Sequence, residues 1–397
     1  MNPYYPYAKQ SITDEDIAEV VKSLKSPVIT RGPKVEEFEH AIAKYCGAEY
    51  AVAFNNATSA LIASCHVVNI NKFDRIITSP NTFIATIAGG WNKKAEPLFI
   101  DIEARSGNID VNLIEENLNY SSTQGRNILI PVHFAGIPVD MKKIEGMIKD
   151  PKTIIIEDAA HALGSSYADG QKVGCCSWSD MTVFSFHPAK NITTGEGGMV
   201  LTNNSDLYFR LRQFRNNGIY RFDEHLDDIS TIKDYFPGSY EVREVTGNYH
   251  MTDFQAALGL SQLNRLDDSA KKRRLLVSQY KKELAHEKGI QFLFVKNDMH
   301  VMYHLCVVKI DFSYYKKSRQ YVMNKLNEKG IGTQVHYIPL YRHPFFKESR
   351  RDIQDYFPNM EEYYSQALTL PLYVDLSIQD VKRIASELKK ILRSKEP

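Results

Sequence analysis

Residues 181–202 read MTVFSFHPAKNITTGEGGMVLT. An apolar run ends at Phe186, then come His187, Pro188, Lys190 and a Thr-Thr-Gly-Glu-Gly-Gly loop, and a second apolar run covers 199–201. Pro188 lacks the N–H that a strand ladder needs and so closes the first strand. Gly195, Gly197 and Gly198 permit dihedrals and close approaches that a Cβ would forbid. Lys190 is therefore predicted just past a strand end, beside a tight turn. A lysine held there can form a Schiff base with an aldehyde cofactor; taken alone, it reads more readily as a solvated loop lysine.

Three other stretches carry groups that complement such a lysine. Residues 152–156 form the most continuous β-branched run, and EDAAHALG follows at once. This puts Asp158 at the carboxyl end of a strand, where open α/β sheets bind ligands. Ala159, Ala160, Ala162 and Gly164 leave room for a flat group. An acid at Asp158 could keep a pyridine nitrogen protonated and make the ring an electron sink; local sequence also allows a helix N-cap. His161 could reach the ring oxygen of the same cofactor, or be a satisfied core histidine. Residues 50–54 form a short buried strand feeding NNATSALIASC, a helix with Ala57, Thr58 and Ser59 in its first turn. Free N–H groups and the helix dipole there suit a phosphate, although taken alone the local pattern is better explained by an ordinary N-cap. Phe83, beyond the strand at 75–79, could stack on a flat cofactor or be plain core. Together these stretches assemble the parts of a pyridoxal phosphate site.

Composition bounds the alternatives. A chain of 397 residues with 43% hydrophobic and 24% charged residues has room for two or three ordinary domains. A formal net charge of +1 favours neither nucleic acid nor anionic membrane as partner, and no apolar run has membrane-spanning length. The opening MNPYYPYAKQ lacks a signal-peptide pattern. The five cysteines (Cys46, Cys65, Cys175, Cys176, Cys306) are scattered and contain no C-x-x-C pair, which points to no disulfide framework and no metal, and to a cytoplasmic setting.

The elements that must position these groups alternate as strand and helix, predicting a mostly parallel α/β sheet with crossovers. A capped helix at 13–24 (Thr13 with Asp16) and a second helix stopped near Gly47 precede the first strand. Further strands are predicted at 96–100 and 128–132, and 219–240 reads as a surface loop. From about residue 270 the texture changes to a smaller α/β unit. It has a basic helix at 271–288 whose KKRR (271–274) is expected on a solvated face, strands at 291–295 and 304–310, a helix at 318–329, a strand over TQVHYIPL, and a final amphipathic helix at 377–393. The expected division is a large domain, 1–268, and a small C-terminal domain, 269–397.

The stretches GPKVEEFEHAIAKYCGAEYAVAFNNATSAL, TSPNTFIATI, PVHFAGIPVDM, IIEDAAHALGSSY, FSFHPAKNITTGEGGMV and NYHMTDFQAALGLSQLNRLD resemble the DegT-type (DegT/DnrJ/EryC) sugar aminotransferases, in the family's order and over nearly the whole chain. The resemblance implies the fold-type I pyridoxal phosphate architecture and a homodimer with sites at the subunit interface. It implies that Lys190 is the Schiff-base lysine, Asp158 the partner of the pyridine nitrogen and His161 a neighbour of the ring hydroxyl. Ala57, Thr58 and Ser185 would contact the phosphate, with Asn248 reaching it from the other subunit. The opening PYAKQSI, the PVIT loop and GTQVHYIPLYRHPFF look most like the pseudaminic acid branch, which aminates C4 of a UDP-linked 4-keto-6-deoxy-N-acetylhexosamine. On that likeness Tyr7, Pro27, Val28, Ile29, Thr30, Gln334, Val335, His336 and Tyr337 would line the sugar pocket. Asn56 and His250 stand where the family more often has serine and arginine.

The activity so implied moves an amino group from a donor, expected to be glutamate leaving as 2-oxoglutarate, to the sugar C4, with Lys190 carrying protons. Within the family, sugar dehydratases replace the lysine with histidine, which Lys190 argues against. A transaminase for a dTDP-linked or UDP-4-keto-pentose sugar is the alternative substrate reading. A non-catalytic regulator would be expected to add a DNA-binding module, and neither a helix-turn-helix nor a basic excess is evident.

Overall fold

The computed structural model describes residues 4–119, 125–221, 238–347 and 353–394. Its centre is a seven-stranded sheet of β1 (Tyr50–Phe54), β2 (Arg75–Thr78), β3 (Glu96–Phe99), β4 (Asn127–Leu129), β5 (Ile154–Asp158), β6 (Met181–Ser185) and β7 (Gly198–Thr202). The order is β1-β7-β6-β5-β4-β2-β3. β7 runs antiparallel to both its neighbours, and the β6-β5-β4-β2-β3 pairs are parallel.

Burial explains why these runs are strands. Val52, Phe54, Ile76, Ile128, Ile156, Val183 and Val200 enter one apolar cluster, whereas Ala51, Ala53, Ile77, Leu129, Ile155, Phe184 and Leu201 enter a second. Successive residues of a strand point to opposite faces, so the sheet is covered on both sides, as a parallel sheet with crossover helices requires. Truncating one of these fully buried aromatics, such as Phe184, to alanine would cost about 3–5 kcal/mol.

The predicted caps are present. Thr13 and Asp16 form a reciprocal capping box on helix Asp14–Leu24, and helix Pro33–Cys46 starts on proline and stops at left-handed Gly47. Helix Asp14–Leu24 nevertheless leaves Ile17, Val21 and Leu24 exposed, an outward apolar stripe.

The C-terminal part holds a three-stranded antiparallel sheet of β10 (Ile290–Phe292), β11 (Cys306–Ile310) and β12 (Ala367–Leu370). The amphipathic helix Ile378–Arg393 packs against helix Leu266–Leu284 and buries Val381, Ile384 and Leu388. Helix Leu266–Leu284 runs unbroken across residues 268 and 269.

Four expectations are corrected. TQVHYIPL is not a strand; only Gln334 bridges to Thr369 of β12, which the periodicity had not suggested. The expected 219–240 loop has strand ends, β8 (Ile219–Arg221) and β9 (Tyr240–Val242), paired antiparallel, its middle lying outside the described residues. No helix follows Asp158, so this acid is not an N-cap; residues 159–164 form turns. Arg273 of the KKRR run is only 3% exposed, because its guanidinium donates to the carbonyls of Tyr303, His304 and Leu372. Burial pushes its pKa down to about 10. All five cysteines are buried free thiols, and no helix among the described residues is long and apolar enough to cross a membrane.

Candidate active site

Lys190 lies in the connection between the antiparallel neighbours β6 and β7. Its N–H donates to the His187 carbonyl (2.8 Å). The loop beyond it is tied back at several points. Asn191 Nδ2 donates to the His161 and Leu163 carbonyls (3.3 and 2.9 Å), Thr193 Oγ1 to the Phe186 carbonyl (2.9 Å), and the Thr193 N–H to Gln262 Oε1 (3.0 Å). The lysine is thus set by bonds on both sides. Desolvation depresses its pKa to about 8, against the opposing attraction of Asp158.

Asp158 closes β5, buried at 5% exposure. Oδ2 accepts from Thr86 Oγ1 (2.7 Å), itself bonded to Thr82 Oγ1 (2.6 Å), and Oδ1 accepts from the Ala160 N–H (3.2 Å). On the other side of the same strand the buried Glu157 meets His133 Nε2 (2.7 Å) and Ser179 and Thr182 hydroxyls. Alternating strand direction thus puts Asp158 toward Lys190 and Glu157 into a structural network.

The first turn of helix Ala57–Val67 adjoins the start of β7. A Cβ on Gly198 would lie 2.5–2.6 Å from the backbone of Asn56 and Ala57, so only glycine allows this approach. Asn56 caps the helix by accepting from the Ser59 N–H (2.8 Å), and the Ser59 hydroxyl donates to the same oxygen (3.1 Å). Ser59 therefore turns its hydroxyl inward to the cap and away from the cradle. Ala57 and Thr58, whose N–H groups lie before the helical ladder, and the exposed Thr58 side chain form the open lip. Ser185 is half-buried opposite Gly198.

Two chain-distant segments close over these groups. Tyr337 OH is 3.0 Å from His161 Nε2, and its ring stacks on that imidazole at 6.1 Å. His336 Nδ1 is 2.8 Å from Thr369 Oγ1, and the His336 and Tyr7 rings lie 5.5 Å apart. Desolvation, with Lys190 adding repulsion, pushes His336 down to about 3 and holds His161 well below the usual imidazole range. His304, missed in the sequence, lies 4.4 Å from His161 ring to ring and is wholly buried. Thr86 was missed too; its spacing from Asp158 carries no local signal. Phe83 is 59% exposed and shares a cavity of about 680 Å³ with Gln334, Val335, His336, Tyr337, Trp91 and Phe345.

The remaining expected residues are not brought to Lys190 within this chain. Pro27, Val28, Ile29 and Thr30 are exposed, with Ile29 accepting from the Asp253 N–H and Thr30 bridging Thr252. Asn248 is exposed and its Oδ1 accepts from the His250 N–H (3.3 Å). Among the described residues, none of their hydrogen bonds runs to Lys190, Asp158 or His161. No group of His, Cys, Asp and Glu side chains suited to a metal occurs among the described residues.

A buried strand-end acid, a desolvated lysine facing it and a glycine-cleared helix N-terminus fit pyridoxal phosphate, and with the sheet order they define a fold-type I transferase of that cofactor. The chain belongs to the DegT/DnrJ/EryC1/StrS aminotransferase family, matched over residues 10–389. It is 35% identical over 386 residues to the UDP-4-amino-4,6-dideoxy-N-acetyl-beta-L-altrosamine transaminase of Campylobacter jejuni (strain 81-176), covering 97% of each chain. It superposes on Helicobacter pylori PseC, an aminotransferase involved in the biosynthesis of pseudoaminic acid, with a TM-score of 0.87 and 28% identity over 98% of this chain and 99% of that one. The PLP-form of the Streptococcus pneumoniae putative sugar aminotransferase Spr1654 gives a TM-score of 0.86 at 27% identity, over 98% of both chains. The protein is a pyridoxal-phosphate-dependent sugar aminotransferase.

Proposed function

We propose that this enzyme transfers an amino group from glutamate to C4 of a UDP-linked 4-keto-6-deoxy-N-acetylhexosamine, in the making of pseudaminic acid or a related surface sugar. The observation that carries the reading is the clustering of Tyr7, His336 and Tyr337 about His161, three residues past Asp158, taken with the similarity to transaminases of that class. When bound, the cofactor supplies an electron sink for charge developing at the donor Cα and the sugar C4.

The chain's own groups do the rest. Lys190 Nζ, with its pKa lowered to about 8, is neutral often enough near neutral pH to take a proton from carbon and return it. Asp158 presents a fixed negative charge that holds a proton on the ring nitrogen. Thr86 and the Ala160 N–H hold that carboxylate in place and aim it. Ala57 and Thr58 offer N–H groups to the phosphate, with Ser185 beside them, and Phe83 offers its ring as a stacking face. Tyr7, Gln334, Val335, His336 and Tyr337 receive the sugar.

The site is completed in a homodimer, with Asn248 and the 27–30 loop serving the partner's site. Support for this comes from their exposure and from the adjoining outward stripe of Ile17, Val21 and Leu24. The division into a cofactor-binding domain, 1–268, and a small domain, 269–397, and a cytoplasmic location belong to the same proposal. The test is to supply the purified protein, pyridoxal phosphate and glutamate with UDP- and dTDP-linked 4-keto sugars and to identify the aminated product. Amination of a dTDP-sugar or a UDP-4-keto-pentose in preference to the acetamido sugar would overturn the substrate assignment.

A further inference from the structure

His161 has no ring nitrogen to spare. The Ala135 N–H donates to its Nδ1 (3.3 Å), and its Nε2 lies 3.0 Å from Tyr337 OH. Ala135 is held in the left-handed region (φ 58°), and its carbonyl accepts from the His304 N–H (3.0 Å), so this donor is fixed from both ends. A nitrogen that accepts carries no proton. The neutral imidazole therefore has its hydrogen on Nε2 and donates it to the tyrosine oxygen. The hydroxyl of Tyr337 must then direct its own hydrogen away from His161.

What lies on that other side is the site. Burial pushes the Tyr337 phenol pKa up, and the charges of Asp158, at the end of β5, and of Tyr7, in the N-terminal segment, push it the same way. Lys190 precedes Asn191, whose side chain donates to the His161 and Leu163 carbonyls, and its charge depresses the pKa of His161, His304 and His336. The backbone of Tyr337 is anchored separately, its N–H donating to Asn81 Oδ1 (3.1 Å), and Asn81 Nδ2 in turn donates to the Gly107 carbonyl (2.9 Å). The phenol is thus a pre-aimed donor beside the lysine and the acid.

We propose that Tyr337, oriented by His161, gives the hydrogen bond to the ring oxygen of the bound pyridoxal phosphate, and that His161 acts through it as a positioning residue. This rests on the assignment of Lys190 and Asp158 to that cofactor, and it revises the direct contact that family resemblance implied for His161. A donor at the ring oxygen favours the ionised oxygen and so lowers the pH at which the lysine-bound cofactor loses its proton.

The experiment is a pH titration of the colour of the loaded enzyme, without amino donor or sugar. Tyr337→Phe, which keeps the ring and removes the hydroxyl, should raise the midpoint by about one to two pH units, the loss of one hydrogen bond to a charged group. His161→Asn should raise it less, and should add nothing in the Tyr337→Phe background. An unchanged midpoint in Tyr337→Phe overturns the proposal, as does a His161→Asn shift that persists in full in the double variant, which would mean direct contact. Borohydride labelling of each variant separates this from the underlying reading. Label on Lys190 with no midpoint shift refutes the tyrosine's role alone, whereas label on another lysine refutes the cofactor assignment and the proposal with it.

Discussion

The Thr86 hydroxyl donates to Asp158 Oδ2 at 2.7 Å from a helix that begins after β2, across the sheet from the acid's own strand. Thr86 is wholly buried, and its oxygen also meets Thr82 (2.6 Å), so the acid is held by a chain of hydroxyls with no cation in it.

This relation makes Thr86→Val informative, since valine keeps the shape and deletes the donor. A hydrogen bond to a charged group is worth about 1.5–3 kcal/mol, so turnover should fall roughly tenfold to a hundredfold while the phosphate cradle keeps cofactor affinity nearly constant. Asp158→Asn should fall further in the same pattern. Parallel loss of turnover and cofactor affinity in equilibrium dialysis would make both residues structural.

The depressed pKa of Lys190 sets a pH dependence with a definite sign. Capture of pyridoxal phosphate requires the neutral amine, which is the minority form below about 8 and the majority form above it. Stopped-flow reconstitution of cofactor-free enzyme should accelerate as pH rises from 6 toward about 8 and then level off, after normalisation to the same reaction of a free lysine analogue. A profile that keeps climbing to the pH of an ordinary lysine would show that the side chain is not desolvated.

His336 is bound to Thr369 and its ring lies 5.5 Å from that of Tyr7. His336→Ala should raise the KM for the nucleotide sugar about tenfold or more, the worth of one polar contact. Conversion of the loaded enzyme by glutamate alone should stay within about twofold of wild type. Strong slowing of that glutamate reaction would place His336 with the donor.

The proposed dimer is tested by complementation between Lys190→Ala and Asn248→Asp, each shown inactive by itself. In a mixed dimer, one site takes Lys190 from one chain and Asn248 from the other and is fully wild type, and the second site carries both defects. Random reassortment makes about half the dimers mixed, so co-expressed subunits should recover roughly a quarter of wild-type activity. No recovery on confirmed subunit exchange would put both groups in one chain's site.

Much of the candidate site was legible because its signals are local. Lys190 follows a strand that Pro188 must end, Asp158 ends a β-branched run, and Ala57 opens a helix behind a buried strand; each is a rule of neighbouring residues. Strand-and-helix alternation likewise predicts the parallel sheet, since both faces of its strands must be buried. Which residues meet across the chain has no such signal. Thr86 reaches Asp158 over 72 positions, Tyr337 reaches His161 over 176, and Arg273 leaves its basic run to serve carbonyls about 30 and 99 positions away. Sequence periodicity reports which face of an element is apolar, whereas pairings of this kind are set by crossover order and by the docking of the C-terminal sheet. The candidate residues for the chemistry were therefore legible in the sequence, and tertiary structure alone decided which partners hold each of them.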